Sequence, residues 1–185
     1  MEKGTQRAQS SRQQDALALL GADHQKVQKL FKDFKKLNTG RAVERAGLVK
    51  MVCDELTIHS RIEEEIFYPA VREATGEADL LDEAEVEHAC IKDLVEQLES
   101  MDPGKDLYDA TFTVLAENVT HHITEEEDEL FPKVKQSDLD LVALAEQLRE
   151  LKEELKAQLS SISPIDEDDE EDDDEEDVRA VAGRH

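Results

Sequence analysis

Apolar residues return every three or four positions through most of this chain, and nowhere do they alternate with polar ones for long enough to make a strand. That spacing builds helices and argues against a sheet. Glycine and proline are rare and stand at punctuation points. The pattern predicts five helices. They cover about 14–37, closed at Asn38-Thr39-Gly40; 42–73, closed before Thr75-Gly76; 78–100, closed by Met101-Asp102-Pro103-Gly104; 107–135; and 138–161, with Ser137 as N-cap. Short links between long helices make antiparallel neighbours. The expected fold is therefore all-α. An up-down-up-down four-helix bundle spans 14–136, after a flexible N-terminus over 1–13. An amphipathic C-terminal helix over 137–162 and a disordered acidic tail over 163–185 follow it.

Charge narrows the choice of partners. The net charge is −25, and Asp166 to Asp177 is an unbroken run of twelve acids. With those twelve charges set aside the remainder still carries −13. Such a surface repels phosphate, so neither nucleic acid nor an anionic membrane is expected as a partner. No stretch is apolar for long enough to span a bilayer, and Met1 to Gln14 has no apolar signal segment. A cytoplasmic location is the expectation. Cys53 and Cys90 stand far apart and outside any paired motif, as reduced thiols do.

The chemistry lies on the apolar stripes. His24 sits among Leu20, Val27 and Phe31; His59 between Leu56 and Ile62; His88 between Leu81 and Ile91; His122 after Leu115 and Val119. Those offsets put each imidazole on the core face of its helix. Glu63 and Glu126 follow His59 and His122 by four, one turn along the same face. Unpaired carboxylates in an apolar core cost several kcal/mol each. A bound cation removes that cost by turning carboxylate and neutral imidazole into ligands. The positions also repeat. His24 to His88 is 64 residues, while His59 to His122, Glu63 to Glu126 and Pro69 to Pro132 are each 63. Two helix pairs with matching inward ligands imply a pseudo-twofold site, which suits two metal ions bridged by carboxylates. Mixed imidazole and carboxylate donors suit Fe, Mn, Zn or Co. Glu127, five after His122, is a competing choice, but the repeat with Glu63 favours Glu126. His121 points away from His122 and reads as an exposed or supporting residue.

These motifs resemble the hemerythrin family, in particular its HHE cation-binding domains. The resemblance covers about Leu17 to Val134. It rests on Asp23-His24, on His59-x-x-x-Glu63 with Phe67-Tyr68-Pro69, on Glu87-His88, and on His122-Ile-x-x-Glu126-Glu127 with Leu130-Phe131-Pro132. It implies two iron ions held by His24, His59, Glu63, His88, His122 and Glu126, with Glu63 and Glu126 as bridges. The oxygen carriers of that family carry two ligand histidines on the third helix at i and i+4. Here His88 stands alone, with Ala84 and Lys92 at those offsets. Water or hydroxide fills the gap, or Glu85 or Glu55 swings in, or one ion binds weakly.

The resemblance implies a non-haem di-iron protein that binds or reacts with O2, peroxide or nitric oxide in oxidative or nitrosative stress. Iron storage or donation for metal-centre repair is the alternative. No classical catalytic motif is present, so enzyme activity stays open. The C-terminal seam of Leu141, Leu144, Leu148, Leu151, Leu155, Leu159 and Ile162 packs on the bundle or makes a homodimer contact, leaving monomer and dimer both open.

Overall fold

The computed structural model describes residues 14–38, 40–105 and 107–162. The expected flexible N-terminus over 1–13 and the acidic tail over 163–185 lie outside the described residues. Every regular element among the described residues is helical. They are α1 (Ala16–Lys36), α2 (Ala42–Ile62), α3 (Tyr68–Thr75), α4 (Ala78–Ser100), α5 (Tyr108–Glu125), α6 (Phe131–Gln136) and α7 (Leu141–Ile162). A π-helical segment, Glu63–Phe67, joins α2 to α3, and a second, Glu126–Leu130, joins α5 to α6. The result is five rods, of which the second and fourth are compound.

The π segments have a cause in the sequence. Pro69 and Pro132 lack a backbone N–H, and a proline ring collides with the carbonyl four residues back. Widening the turn before each proline avoids that collision. The Tyr68 N–H then donates to the Glu63 carbonyl, and the Phe131 N–H to that of Glu126, each five residues back. Five residues per closure bring positions i and i+5 closer to one face than an α-helix does. Glu63, Phe67 and Tyr68 are all buried as a result, and so are Glu126, Leu130 and Phe131.

Caps set the other boundaries. The Asp15 carboxylate accepts from the Ala18 N–H and opens α1. The fifth rod starts later than expected, because Asp140, not Ser137, caps it. The Asp140 carboxylate accepts from the N–H groups of Val142 and Ala143, while the Ser137 hydroxyl donates to the Val134 carbonyl at the end of α6. Gly76 closes α3 with φ +72°.

The core divides in two. One cluster holds Leu17, Leu20, Ile62, Phe67, Tyr68, Leu81 and Phe131. The other holds Val27, Phe31, Phe34, Val52, Ile91, Phe112, Leu115 and Val119. The four stripe histidines sit in sequence between members of the two clusters. Helix α7 lies along α1, α2 and the first π segment, and its Leu144, Ala145, Leu148 and Leu155 join the first cluster. Leu141, Leu151 and Leu159 pack against that cluster, so the seam from Leu141 to Leu159 lies on the bundle. No described helix is long and apolar enough to cross a membrane.

A Cβ placed on Gly76 would meet nothing within 4 Å, so only the left-handed backbone opposes a side chain there. Gly76→Ala is expected to destabilise the fold by about 1 kcal/mol. Urea denaturation checks this, and an unchanged midpoint would show that the turn adopts another conformation.

Candidate metal centre

The six residues singled out in the sequence are all buried. His24, His59, Glu63, His88, His122 and Glu126 are between 0 and 7 % exposed. They fall into two overlapping groups, each with donor atoms within 4.8 Å of one another: His24, His59, Glu63 and Glu126 in one; Glu63, His88 and His122 in the other. The His24 and His59 Nε2 atoms are 3.1 Å apart, and those of His88 and His122 are 3.0 Å apart. Glu63 Oε2 lies 3.2 Å from His59 Nε2 and 3.5 Å from His88 Nε2. Glu126 Oε2 lies 3.3 Å from His24 Nε2 and 3.6 Å from His122 Nε2. Each carboxylate thus reaches one imidazole of either pair.

The outer ring nitrogens decide what the inner ones can do. His24 Nδ1 is 2.8 Å from Glu127, His88 Nδ1 2.8 Å from Glu64, and His122 Nδ1 2.8 Å from Glu87. A carboxylate only accepts, so the proton of each neutral ring sits on Nδ1 and the Nε2 lone pair faces inward. His88 and His122 then point two lone pairs at each other across 3.0 Å. Only a positive centre between them makes that contact favourable. Both Glu63 oxygens and Glu126 Oε2 also lack hydrogen-bond partners. Donors about 2.1 Å from a shared ion stand about 3.0 Å apart at the right angle of an octahedron, and about 3.4 Å apart in a tetrahedron. The spacings above match those edges. The donor set, the orphaned oxygens and the distances fit metal ions.

The supporting carboxylates follow the internal repeat. Asp23 and Glu87 precede His24 and His88, while Glu64 and Glu127 follow Glu63 and Glu126. Each residue beside one ligand serves a ligand on another rod. Asp23 Oδ2 is 3.6 Å from His59 Nδ1, and Lys152 of α7 closes on the other Asp23 oxygen. Lys152 lies outside the repeat, and no sequence spacing pointed to it.

Tyr68 is the other residue whose role the sequence hid. Its hydroxyl donates to Glu126 Oε1 at 2.9 Å and lies 3.3 Å from His88 Nε2. Burial, and then the charges of Glu126 and Glu63, hold its phenol well above the usual range and keep it protonated. Its counterpart, Phe131, stacks on His24 instead. The hydroxyl therefore stands on the side where the third helix carries one histidine. Glu55 pairs with Lys26 and Glu85 with Arg72, so neither turns inward. Glu127 supports His24, and His121 is 66 % exposed. Cys53 is a buried thiol, pushed up to about 12 mainly by burial, and Cys90 is exposed. Neither belongs to the donor groups.

A narrow cavity touches the four imidazoles and is otherwise walled mainly by Val27, Leu56, Ile91, Val119 and Ile123. It has room for a ligand of a few atoms.

Comparison with known proteins matches residues 15–134 to the family described as the hemerythrin HHE cation binding domain. A protein from a Nostoc species named DNA nickase is 30 % identical over 140 residues, 76 % of this chain. This chain spans 38 % of that relative's length. The crystal structure of a hemerythrin HHE cation binding domain-containing protein from Mycobacterium kansasii superposes with a TM-score of 0.68 at 24 % identity. The match covers 78 % of this chain and 88 % of that one, and it shows a shared fold.

Without metal, the same groups must be held by protons. Burial opposes charge on His59, but Glu63, Asp23 and Glu126 outweigh it and raise the imidazole from 6.5 to about 10. Burial also opposes charge on Glu126, yet His24, His122 and His59 bring it from 4.5 down to about 2. The His59 contribution is complete below pH 6.5 and is lost as pH rises towards 10. The Glu126 contribution is complete above pH 4.5 and is lost as pH falls towards 2. Metal-free protein is expected to be most stable between those limits, with the urea midpoint falling on both sides. A midpoint flat from pH 6.5 to 10 would contradict the charged cluster.

Proposed function

The chain belongs to the hemerythrin HHE cation-binding domain family, whose domain binds metal, and from that premise we propose that it holds a carboxylate-bridged pair of iron ions serving a small-molecule ligand: O2, peroxide or nitric oxide. The observation that carries this reading is the overlap of the two donor groups at Glu63 beside an apolar cavity. His24, His59, Glu63 and Glu126 would hold one ion; His88, His122 and Glu63 would hold the other. Bound iron supplies Lewis acidity and one-electron redox chemistry.

The protein's own groups do the rest. Glu63 belongs to both donor groups, which suits bridging, while Glu126 belongs to the His24–His59 group and lies 3.6 Å from His122. The carboxylates on Nδ1 of His24, His88 and His122 fix those rings and raise their donor strength. Tyr68 holds Glu126 by Oε1 and leaves Oε2 facing the imidazoles. Its hydroxyl keeps a proton beside His88. Val27, Leu56, Ile91, Val119 and Ile123 exclude bulk water and limit the ligand to a few atoms.

The difference between the groups favours reaction or exchange over reversible carriage. Four residues converge on one position and three on the other. The position with fewer donors leaves room for a ligand, and it also supports iron donation as a second reading, since fewer donors hold an ion less tightly.

Metal analysis of protein reconstituted anaerobically with Fe(II), followed by absorption spectra on adding air, peroxide or nitric oxide, tests the proposal. About two irons per chain and a new charge-transfer band with at least one oxidant are expected. His59→Ala should hold well below two irons and lose the melting increment that metal gives the wild type. Full iron in that variant would overturn the ligand set. Rapid loss of one ion to a chelator, with no spectral response to any of the three ligands, would favour donation.

A further inference from the structure

The internal repeat gives each position near the centre a counterpart 63 or 64 residues away, and the two halves differ on their outer faces. Beside His24 and His59 stand Leu19, Asp23, Ile58 and Ile62, all buried beneath α7. Leu19, Ile58 and Ile62 share an apolar cluster with Leu144, Leu148 and Leu155, and Lys152 closes on Asp23. Their counterparts beside His88 and His122 are Glu83, Glu87, His121 and Glu125. Glu83 and His121 are exposed, and Glu87 and Glu125 are partly so. One side of the centre is sealed by a helix and a lysine, while the matching side is open and acidic.

The open side has depth. A narrow cleft between α4 and the fourth rod is lined by Glu83, Glu87 and Glu125 together with Leu80, Ala84 and Leu130, and reaches His122 and Glu126 at its inner end. Exposure falls along that file of carboxylates, from Glu83 at the surface to Glu126, which is 3 % exposed and has an oxygen without a hydrogen-bond partner. Beside the cleft, His121 Nε2 is 3.2 Å from Glu125 and 3.7 Å from Glu87, two of the residues that line it. These three residues bring donor atoms within 4.8 Å of one another. Glu87 serves both ends: its Oε1 faces His121 and its Oε2 lies 2.8 Å from His122 Nδ1.

We infer that this cleft is the portal through which metal reaches the centre, and that Glu87, His121 and Glu125 form a transient site for a divalent transition-metal ion at its mouth. Two carboxylates and a neutral imidazole balance a double positive charge. Their partial exposure leaves the ion several of its waters, so it is held loosely and can be passed inward. Converging carboxylates in a cleft raise the local concentration of cations and speed capture by one to three orders of magnitude. The sealed half cannot do this, because the Lys152 ammonium repels a cation there and apolar residues give it no oxygen. The inference rests on the dinuclear reading above.

The test uses the full metal-free chain mixed rapidly with Co(II), whose visible absorption reports inner-site occupancy. A His121→Ala/Glu125→Gln variant changes only residues outside the proposed ligand set. Loading is expected to slow roughly tenfold and to lose much of its salt dependence. Final content should stay at about two ions per chain, and metal-free melting should match the wild type. Loading as fast as wild type, or equal slowing by Glu129→Gln on the exposed face of the second π segment, would overturn the portal while leaving the centre intact. A wild-type chain that never takes up about two ions would instead bring down the dinuclear reading, and the portal with it.

Discussion

Six ionisable side chains turned inward between two apolar clusters are the constraint on which the rest of this molecule depends. Each unpaired buried charge costs several kcal/mol, and Nε2 lone pairs facing across 3.0 Å repel. Metal ions or protons must relieve that. The four bundle rods are arranged to make the relief local and shared. Each rod gives one histidine, and the second and fourth also give one glutamate each. Each carboxylate then reaches an imidazole on its own rod and one on another. The family match and the metal-binding property it carries fit this arrangement.

The same demand shapes the backbone. Glu63 and Glu126 each begin a π segment, and each segment ends just before a residue whose ring lies against the site: Tyr68 near His88, Phe131 on His24. The prolines that follow force the widened turn, and the widened turn re-aims the aromatic. Identical machinery in the two halves therefore ends in different chemistry, a hydroxyl on one side and a bare ring on the other. Helix α7 deepens the difference, because Lys152 neutralises Asp23 on one side only. A pseudo-twofold frame thus carries two inequivalent positions.

Much of the fold was legible because helices with clear stripes and caps announce themselves through spacing. The ends of the second, third and fourth rods fall within two residues of expectation. Ser137 looked like a helix start because serine caps well, but Asp140 stands closer to the leucine seam and wins the role. The inward direction of His24, His59, His88 and His122 was legible from their neighbours, and the pairing of halves from the 63-residue repeat. The roles of the outer partners were not: Asp23, Glu87 and Glu127 stood in the motifs and Glu127 read as a competing ligand, but which imidazole each of them and Glu64 serves depends on how the rods dock. Tyr68 was visible as part of a motif, but its phase depends on the π turn, which α-helical spacing does not anticipate. Lys152 belongs to a helix whose docking site no local pattern specifies.

The most direct test is anomalous diffraction at the iron edge from crystals of anaerobically reconstituted protein. Two peaks about 3.5–4 Å apart are expected, both within bonding distance of Glu63, one beside His24 and His59 and the other beside His88 and His122. A lone peak away from Glu63, or iron found only at the surface, would contradict the bridged centre.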